Sequence, residues 1–341
     1  MNGPALAAIA LSLIFAFTNG FQDSGSNAAT LVACRAASPR RAALLVAGAG
    51  AAGAVLGGSA VALTVFGLVT LGNGDTAVRV TISAVTGATI WNLITWRLGL
   101  PSSSTYALVG GLIGAAVTAG GAGSVSWGLA ELTGPSHAFV GVTKVLVFLA
   151  VSVGIGLLGG YAVLRTSSVL LRNARRRLNL AIMRAQWLTA GLLAFGSGAN
   201  NAQKQMGLIA MVLVATGSLA ALEIPPWVRV ACALALGLGA LVGGWRIMRR
   251  LGMGVFTIEP IHSLDSQVTA GAAIAISTVI GAPISSTQVI ASSVVGVGAA
   301  ENARNVRWSI GRDMFLSWAV TIPFSAMVSS ATFAVISHVL T

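Results

Sequence analysis

The sequence is poor in charged residues. Only 8% of its 341 residues are charged, whereas 55% are apolar, and the mean hydropathy is +0.87. A globule of this length cannot be solvated by so little polar surface. The composition therefore excludes a soluble domain and indicates a membrane protein.

Cysteine and histidine are also scarce. The two cysteines, Cys34 and Cys232, have no metal-ligand spacing, and we interpret them as small core residues. The three histidines, His137, His262 and His338, are scattered at predicted span ends, without the shared spacing of a catalytic or metal cluster. We therefore expect no cofactor and no enzymatic activity.

Apolar segments recur along the whole chain. A spanning helix needs about 20 mostly apolar residues. The N-terminal segment lacks a basic region before it, so we expect it to be a retained span and not a cleaved signal. Three shorter segments, 102–118, 266–280 and 284–300, are alternatively re-entrant hairpins. We count ten candidate spans: 5–34, 42–71, 79–98, 102–118, 139–164, 186–218, 226–245, 266–280, 284–300 and 313–339.

The net charge of +12 is concentrated in alternate loops. The loops near 72–78, 119–138 and 219–225 carry acidic and no basic residues. The positive-inside rule places the basic loops in the cytoplasm, which predicts a multi-pass protein of the cell membrane with both termini outside. The positive charge therefore indicates the membrane topology and contact with anionic lipid, and it does not indicate nucleic-acid binding. The basic residues assigned to these cytoplasmic loops are Arg35, Arg40, Arg41, Arg97, Arg165, Arg172, Arg175, Arg176, Arg177, Arg184, Arg246, Arg249, Arg250, Arg304, Arg307 and Arg312.

Two short motifs recur, once in each half of the chain. Residues 17–23 resemble residues 195–201, which follow by 178 positions. Residues 98–105 and 280–287 share Gly-x-Pro-x-Ser-Ser-Thr, 182 positions apart. Near-constant offsets indicate a duplication. We predict an all-α polytopic membrane protein of two inverted five-span repeats, 1–164 and 186–341, with broken helices, re-entrant hairpins and a basic connector at 165–185.

Both motifs suit an anion-binding site. Asn19-Gly20 lies midway along an apolar segment and predicts a helix break there. Pro101 and Pro283 suit the first turn of a helix, so the hydroxyls that follow would line two helix N-termini, which attract anions. The predicted oxyanion ligands are Ser103, Ser104, Thr105, Ser285, Ser286 and Thr287.

Asp23 and Lys204 are charged residues inside apolar segments. A carboxylate there is costly unless paired, protonated or bound to a cation, and we favour cation binding over a structural hydrogen bond. Oxygen donors from Asp23, Asn27, Asn200 and Asn201 would suit sodium, although amides also pair helices in membranes. Lys204 either completes the oxyanion site or snorkels to an interface.

Asp265 follows His262 in a polar stretch at the entrance to a predicted span. It either lines a polar pathway through the protein or is an interfacial residue in contact with water. The sequence does not separate these alternatives.

Four stretches resemble the inorganic phosphate transporter family of cation-coupled symporters. Residues 19–28 and 198–207 are similar to its two signatures, and residues 91–105 and 283–298 to its two hairpin motifs. The resemblance implies an inverted-repeat fold in which signature carboxylates and amides bind cations around a phosphate held by the hydroxyl runs. It also places Gln203 and Lys204 beside the phosphate, and it implies a homodimer.

This sequence departs from the family pattern at five positions. Each change removes a titratable or cation-binding group, so the coupling ion, sodium or proton, is open. The departures are Gln22, Tyr106 and Gln288 where the family usually has His, Asn201 where it has Asp, and Gln267 where it has Glu.

We predict secondary active import of inorganic phosphate, coupled to a sodium or proton gradient. A sulfate permease of the same fold is the first alternative. Sulfate has no proton to donate at neutral pH, so the retained carboxylate of Asp23 favours phosphate. An ion channel fits less well, because paired broken helices around an acid are typical of an occluding site.

Overall fold

The computed structural model describes residues 3–70, 74–134, 137–173 and 178–339, and these are mostly helical. The first half contains α1 (Gly3–Ala33), α2 (Pro39–Leu56), α3 (Ala60–Phe66), α4 (Gly74–Leu98), α5 (Ser104–Gly120), α6 (Leu129–Thr133) and α7 (Gly141–Leu170). The second contains α8 (Leu178–Ala215), α9 (Pro226–Val242), α10 (Trp245–Gly254), α11 (Pro260–Val279), α12 (Ser286–Asn302) and α13 (Trp308–Val339).

The helices that could cross a bilayer are fewer than the ten predicted spans. Among the described residues, five helices are long and apolar enough, namely α1, α4, α7, α8 and α13, and two bent pairs raise the number to seven. The predicted spans at 102–118, 266–280 and 284–300 correspond to α5, α11 and α12, which do not qualify. The α5 and α12 helices have only 17 residues each, which suits the re-entrant alternative.

Sharp bends occur at glycine pairs. The α2 and α3 helices are bent by 74° at Gly57-Gly58, and α9 and α10 by 64° at Gly243-Gly244. Gly58 and Gly243 have φ values of +81° and +87°, which side chains rarely adopt. These are the broken helices of the structure.

The predicted helix break at Asn19-Gly20 is wrong, and the similar residues 195–201 do not interrupt a helix either. The α1 and α8 helices run through both motifs without interruption. A Cβ atom on Gly20 would clash with the backbone of Leu236 in α9, and one on Gly198 with the backbone of Gly50 in α2. These glycines therefore allow close helix packing instead of ending a helix.

Each half packs its last long helix against the other half. The α13 helix packs against α4 and α5, and α7 packs against α11 and α12. Between these groups, α1 packs against α9, and α2 against α8. The matched pairings are those expected of a duplicated chain. The inverted relation of the halves and the boundaries at 164 and 186 remain predictions.

Large apolar side chains cover the outer surface. Leu158 is 70% exposed, Val279 is 82% exposed and Leu192 is 61% exposed. Apolar side chains that are exposed over such a large surface are stable only in apolar surroundings. The surface therefore supports a multi-pass membrane protein. Within the predicted connector, Arg175, Arg176 and Arg177 lie outside the described residues, and the orientation of the termini remains a prediction.

Candidate functional site

The two Gly-x-Pro-x-Ser-Ser-Thr turns begin helices in the same way. The Ser103 hydroxyl accepts a hydrogen bond from the Tyr106 N–H at 3.1 Å, and the Ser285 hydroxyl accepts one from the Gln288 N–H at 3.3 Å. Both serines are therefore N-caps, which stabilise the first turns of α5 and α12. Their hydroxyl oxygens are engaged within the turn.

The prolines lie outside the helices that they precede. The helices begin at Ser104 and Ser286, so Pro101 and Pro283 are two residues before the N-caps. The prediction that the prolines lie in the first helical turn is wrong. The helices begin after the capping serines, which accept hydrogen bonds from the N–H groups of Tyr106 and Gln288. The glycine two residues before each proline has a φ of +66° or +67°, which lets the chain reverse.

The two turns meet inside the protein. The Thr105 hydroxyl donates to the Ile284 carbonyl oxygen at 3.0 Å, which joins the start of α5 to the turn before α12. Both turns are buried. The N-termini of α5 and α12, each the positive end of a helix dipole, therefore lie close together inside the protein.

Asp23 lies at the start of α12. Its carboxylate accepts hydrogen bonds from the Thr287 hydroxyl at 3.0 Å, from the Ser286 hydroxyl at 3.3 Å, and from the Asn201 amide Nδ2. Asp23 is 5% exposed. The structure thus brings the predicted carboxylate of α1 to the predicted hydroxyls of the second hairpin.

Lys204 is buried at the start of α5. Its Nζ donates to Thr105 Oγ1 at 2.6 Å, to Asn201 Oδ1 at 2.6 Å and to the Ile284 carbonyl oxygen at 2.8 Å. The side chain is 1% exposed, so the snorkelling alternative is wrong. An ammonium group with three acceptors stands between the two hairpin turns.

The other predicted amides hold neighbouring helices. Asn27 donates to the Asp23 carbonyl oxygen at 3.0 Å, and its Oδ1 accepts from the Ser197 hydroxyl at 3.0 Å. Asn200 donates to Thr278 Oγ1 at 3.1 Å and to the Ala282 carbonyl oxygen at 3.2 Å. Both residues lie beside the cluster that Asp23, Ser286, Thr287, Asn201, Lys204 and Thr105 form. The Asn200 Oδ1 is buried without a hydrogen-bond partner.

Gln203 is not brought into this cluster. Its Oε1 accepts from the Val61 N–H at 2.8 Å, and its Nε2 donates to the Gly57 carbonyl oxygen at 2.6 Å. Both ends of the amide are therefore used at the bend between α2 and α3. Gln203 therefore stabilises that bend, and its side chain makes no hydrogen bond to the residues that contact Lys204.

Besides the Asn200 Oδ1, polar groups near the cluster with free hydrogen-bonding capacity include Ser104, Asn19 and Gln205. Among the described contacts the Ser104 hydroxyl makes no hydrogen bond, and Ser104 is 6% exposed. The side chains of Asn19 and Gln205 are fully buried without hydrogen-bond partners. Sequence reasoning missed these two amides, although helical spacing offered a signal: Asn19 precedes Asp23 by four residues, and Gln205 follows Asn201 by four.

The cluster is tightly closed. A cavity of only about 10 Å³ adjoins Asp23, lined on one side by Asn27 and Ser197. The described residues contain no group of three His, Cys, Asp or Glu side chains that could hold a metal ion. The available ligands are amide, hydroxyl and carboxylate oxygens, which suit a hard cation such as sodium and not a transition metal.

The family model for the phosphate transporter family matches residues 19–329, which include every residue of this cluster. The chain belongs to that family. The family consists of transporters, so the expectation that the chain is not an enzyme is confirmed.

Curated relatives of similar length support the assignment. The chain is 34% identical over 334 residues to a probable low-affinity inorganic phosphate transporter of Bacillus subtilis (strain 168), covering 96% of each protein. It is 32% identical to a protein of the same description from Rhizobium meliloti (strain 1021), covering 94% of this chain and 93% of that one. These relatives do not favour the sulfate alternative.

A solved structure has the same fold. It is described as the sodium-dependent phosphate transporter, and it aligns with a TM-score of 0.80 over 98% of this chain and 99% of that one. Sequence identity is 23%, so the likeness concerns the fold. The predicted all-helical transporter architecture is thereby confirmed.

Proposed function

We propose that the protein imports inorganic phosphate across the cell membrane, driven by a sodium gradient. The observation that carries this proposal is the placement of Asp23, Asn201 and Lys204 between two facing helix N-termini. Family membership supports phosphate as the substrate. Sodium is favoured over a proton because the structurally similar transporter is described as sodium-dependent.

The phosphate site would combine Lys204 with the first turns of α5 and α12. Phosphate needs donors for its oxygens, and Lys204, Thr105 and the free hydroxyl of Ser104 supply them together with the helix N–H groups. Lys204 already joins both turns through Thr105 and Ile284. Phosphate would therefore replace contacts that this lysine now makes within the protein.

The cation site would be centred on Asp23. The negative charge of Asp23 would repel a phosphate anion bound beside Lys204, and a cation bound at Asp23 would remove the repulsion. Asn27 and the free amide of Asn19 lie one turn to either side of Asp23 on α1 and offer oxygens for a cation. Cation binding would then prepare the site for the anion, which is the requirement for symport.

Asn201 would couple the two sites. At present its Nδ2 faces Asp23 and its Oδ1 faces Lys204. Rotation of the Asn201 amide group by half a turn would direct its Oδ1 towards a cation bound at Asp23. The same rotation would remove one hydrogen-bond acceptor from Lys204. The freed ammonium group could then bind phosphate, so that each ligand promotes the binding of the other.

The proposal includes the surroundings of the chain. The exposed apolar surface would face the lipid bilayer or, as the family resemblance implies, a second copy in a homodimer. The positive-inside rule would place both termini outside the cell.

Uptake of labelled phosphate into proteoliposomes tests the function. We expect accumulation above the equilibrium level only with an inward sodium gradient, and little competition from unlabelled sulfate. Downhill flux alone would indicate a channel, strong sulfate competition would indicate a sulfate permease, and uptake driven by a pH gradient without sodium would assign the coupling to protons.

A further inference from the structure

A groove of about 560 Å³ runs along the outer surface between α8 and α11, and the end of α2 borders it. Most of the residues that line it are apolar. Leu192 of α8 and Val279 of α11 are lining residues that are themselves largely exposed. The volume is that of a typical site for a small organic ligand. Because the groove is part of the apolar surface, its occupant must also be apolar.

Small side chains create the groove. Gly196 lies on α8, and Gly271, Ala272 and Ala275 lie on α11. A Cβ atom on Gly271 would have Leu193 as its nearest neighbour, at 3.9 Å. Glycine is therefore not needed there for the two helices to approach each other, unlike Gly20 in α1. The small residues leave room that the protein itself does not fill.

The first half of the chain fills the equivalent space with its own side chains. The offsets of 178 and 182 residues match the groove positions with larger residues, and the exception is Gln267, which is matched by Val85. The rings of Phe21 and Trp96 are in contact, with centroids 5.0 Å apart. A duplicated scaffold can therefore do without this groove. The small residues Gly196, Ala199, Gly271, Ala272, Ala275 and Thr278 are matched by Thr18, Phe21, Thr89, Ile90, Leu93 and Trp96.

The groove has the depth of one membrane leaflet. Along α8 it extends from Thr189 to Ala199, which is about 15 Å, or half of a hydrocarbon core of about 30 Å. Trp187 lies just before the groove, and its Nε1 donates to the Ala36 carbonyl oxygen at 3.3 Å. Tryptophan is typical of the boundary between headgroups and hydrocarbon. The groove therefore leads from that boundary towards the middle of the bilayer, as an acyl chain does.

A basic residue lies at the headgroup end of the groove. Arg184, Leu188 and Leu192 are spaced by four residues, so they share one face of α8. Leu192 lines the groove, and Arg184 lies about 12 Å nearer the start of the helix. Arg184 is exposed and forms no ion pair with the described residues. A guanidinium group at this level attracts the phosphate of an anionic lipid headgroup.

The floor of the groove is joined to the candidate site. Thr278 lines the groove, and its Oγ1 accepts from Asn200 Nδ2 at 3.1 Å. Gln267 also lines it, accepting from Thr189 of α8 at 2.5 Å and donating to Thr30 of α1 at 3.1 Å. An occupant of the groove would thus press on the hydrogen bonds that hold α8 and α11 together beside the site.

We propose that one acyl chain of an anionic phospholipid occupies this groove, that Arg184 binds the headgroup phosphate, and that the lipid stabilises the packing of α8 on α11. The basic loops predict that the lipid belongs to the cytoplasmic leaflet. The inference concerns lipid binding and does not depend on the transported ion.

Native mass spectrometry of the delipidated protein in detergent tests the role of Arg184. Phosphatidylglycerol or phosphatidylcholine with the same acyl chains is added. We expect the first lipid bound to be phosphatidylglycerol, with about fivefold higher affinity, as expected for one basic residue beside an anionic headgroup. Arg184→Gln should bind both lipids equally, whereas Arg312→Gln, at another exposed site, should keep the preference. Equal affinities in the wild type, or a preference retained in Arg184→Gln, would overturn the inference.

The acyl chain is tested by filling the groove. Ala272→Ile combined with Ala275→Leu introduces the side chains of the first half at two exposed positions, so the variant should fold. We expect it to bind phosphatidylglycerol at least tenfold more weakly, and its Tm should no longer rise when this lipid is added. Ala331→Ile with Ala334→Leu, also exposed and three residues apart on α13, is the matched control. Unchanged lipid binding in the groove variant would contradict the proposal.

The same variant distinguishes a lipid from a second copy of the chain. The oligomeric state in the mass spectrum should be the same in the groove variant and in the wild type. Conversion of dimers to monomers, with lipid binding unchanged, would show that another subunit covers the groove and that the inference is wrong.

The side of the membrane is tested by labelling. The native Cys34 and Cys232 are buried, so a membrane-impermeant maleimide should label Arg184→Cys from the cytoplasmic face alone. Labelling from the outer face would refute the placement in the cytoplasmic leaflet. None of these measurements needs transport, so a failure of phosphate uptake in proteoliposomes would refute the proposed function and leave lipid binding as it is.

Discussion

Asp23 and Lys204 hold opposite ends of one side chain, the amide of Asn201. The carboxylate accepts from its Nδ2, and the ammonium group donates to its Oδ1 at 2.6 Å. Two buried groups of opposite charge are thus joined through a neutral residue that can turn. The first predictions concern the charge at each end of this bridge and in its middle.

Asp23→Asn should abolish sodium-driven phosphate uptake. The substitution removes the carboxylate that would bind the cation, while the amide can still accept from Thr287 and Ser286. Phosphate accumulation is measured at several sodium concentrations. Asp75→Asn, which changes an exposed carboxylate in the first turn of α4, should behave as wild type. An ordinary sodium response in Asp23→Asn would refute its role in coupling.

Lys204→Met should abolish phosphate transport and destabilise the protein. Removing one charge of a buried pair leaves the other uncompensated, at a cost of about 3–5 kcal/mol. The double variant Lys204→Met with Asp23→Asn should recover most of the thermal stability without recovering transport. Stability that is unchanged in the single variant would show that the two charges are not coupled.

Asn201→Asp should strengthen the dependence on sodium. A second carboxylate beside Asp23 raises repulsion when no cation is bound and adds a charged ligand when one is. We expect a lower Tm in sodium-free detergent, restored by sodium, and a half-saturating sodium concentration about fivefold lower. Asn179→Asp on the exposed surface of α8 controls for the added charge. Equal sodium affinity in Asn201→Asp and Asn179→Asp would contradict the proposed role of Asn201 between Asp23 and Lys204.

The two threonines of the hairpins should have different effects. Thr105 contacts Lys204, so Thr105→Val should raise the KM for phosphate about tenfold, as expected for one hydrogen bond to a charged group. Thr287 contacts Asp23, so Thr287→Val should mainly shift the sodium dependence. Thr166→Val, at an exposed site on α7, is the control. If Thr105→Val and Thr287→Val changed the KM for phosphate and the sodium dependence equally, separate phosphate and cation sites would be contradicted.

Gly20→Ala should destabilise the protein, whereas Gly48→Ala should not. A Cβ atom on Gly20 meets the backbone of α9, which cannot yield, but one on Gly48 has no neighbour within 4 Å. Alanine at Gly48 should even raise helix stability by about 1 kcal/mol. Thermal unfolding in detergent measures both. A stable Gly20→Ala variant would mean that α1 and α9 separate easily.

The apolar segments and the serine-capped hairpins could be predicted from the sequence, because both depend on local patterns. Apolar length marked where helices lie, and Gly-x-Pro-x-Ser-Ser-Thr marked where α5 and α12 begin. That Asp23 lies close to the hairpin hydroxyls was implied by the family resemblance and not by a local pattern, and its contacts with Ser286 and Thr287 agree with it.

The helix bends and the position of Gln203 could not be predicted in the same way. Glycine permits both a bend and a close helix contact, and only the neighbouring helix decides between them. Gly20 therefore suggested a break that does not exist, while Gly57-Gly58 and Gly243-Gly244 marked real bends that were not singled out. Gln203 is next to Lys204 in sequence, but the helix turns its side chain towards the α2–α3 bend.

The exchange of final helices between the halves has a consequence for biosynthesis. The α5 helix packs against α13, which leaves the ribosome after all the other helices named above. The first hairpin must therefore remain without its partner helix in the membrane until α13 has been translated. A chain truncated after the first half would expose that unprotected hairpin to the quality-control proteases of the cell.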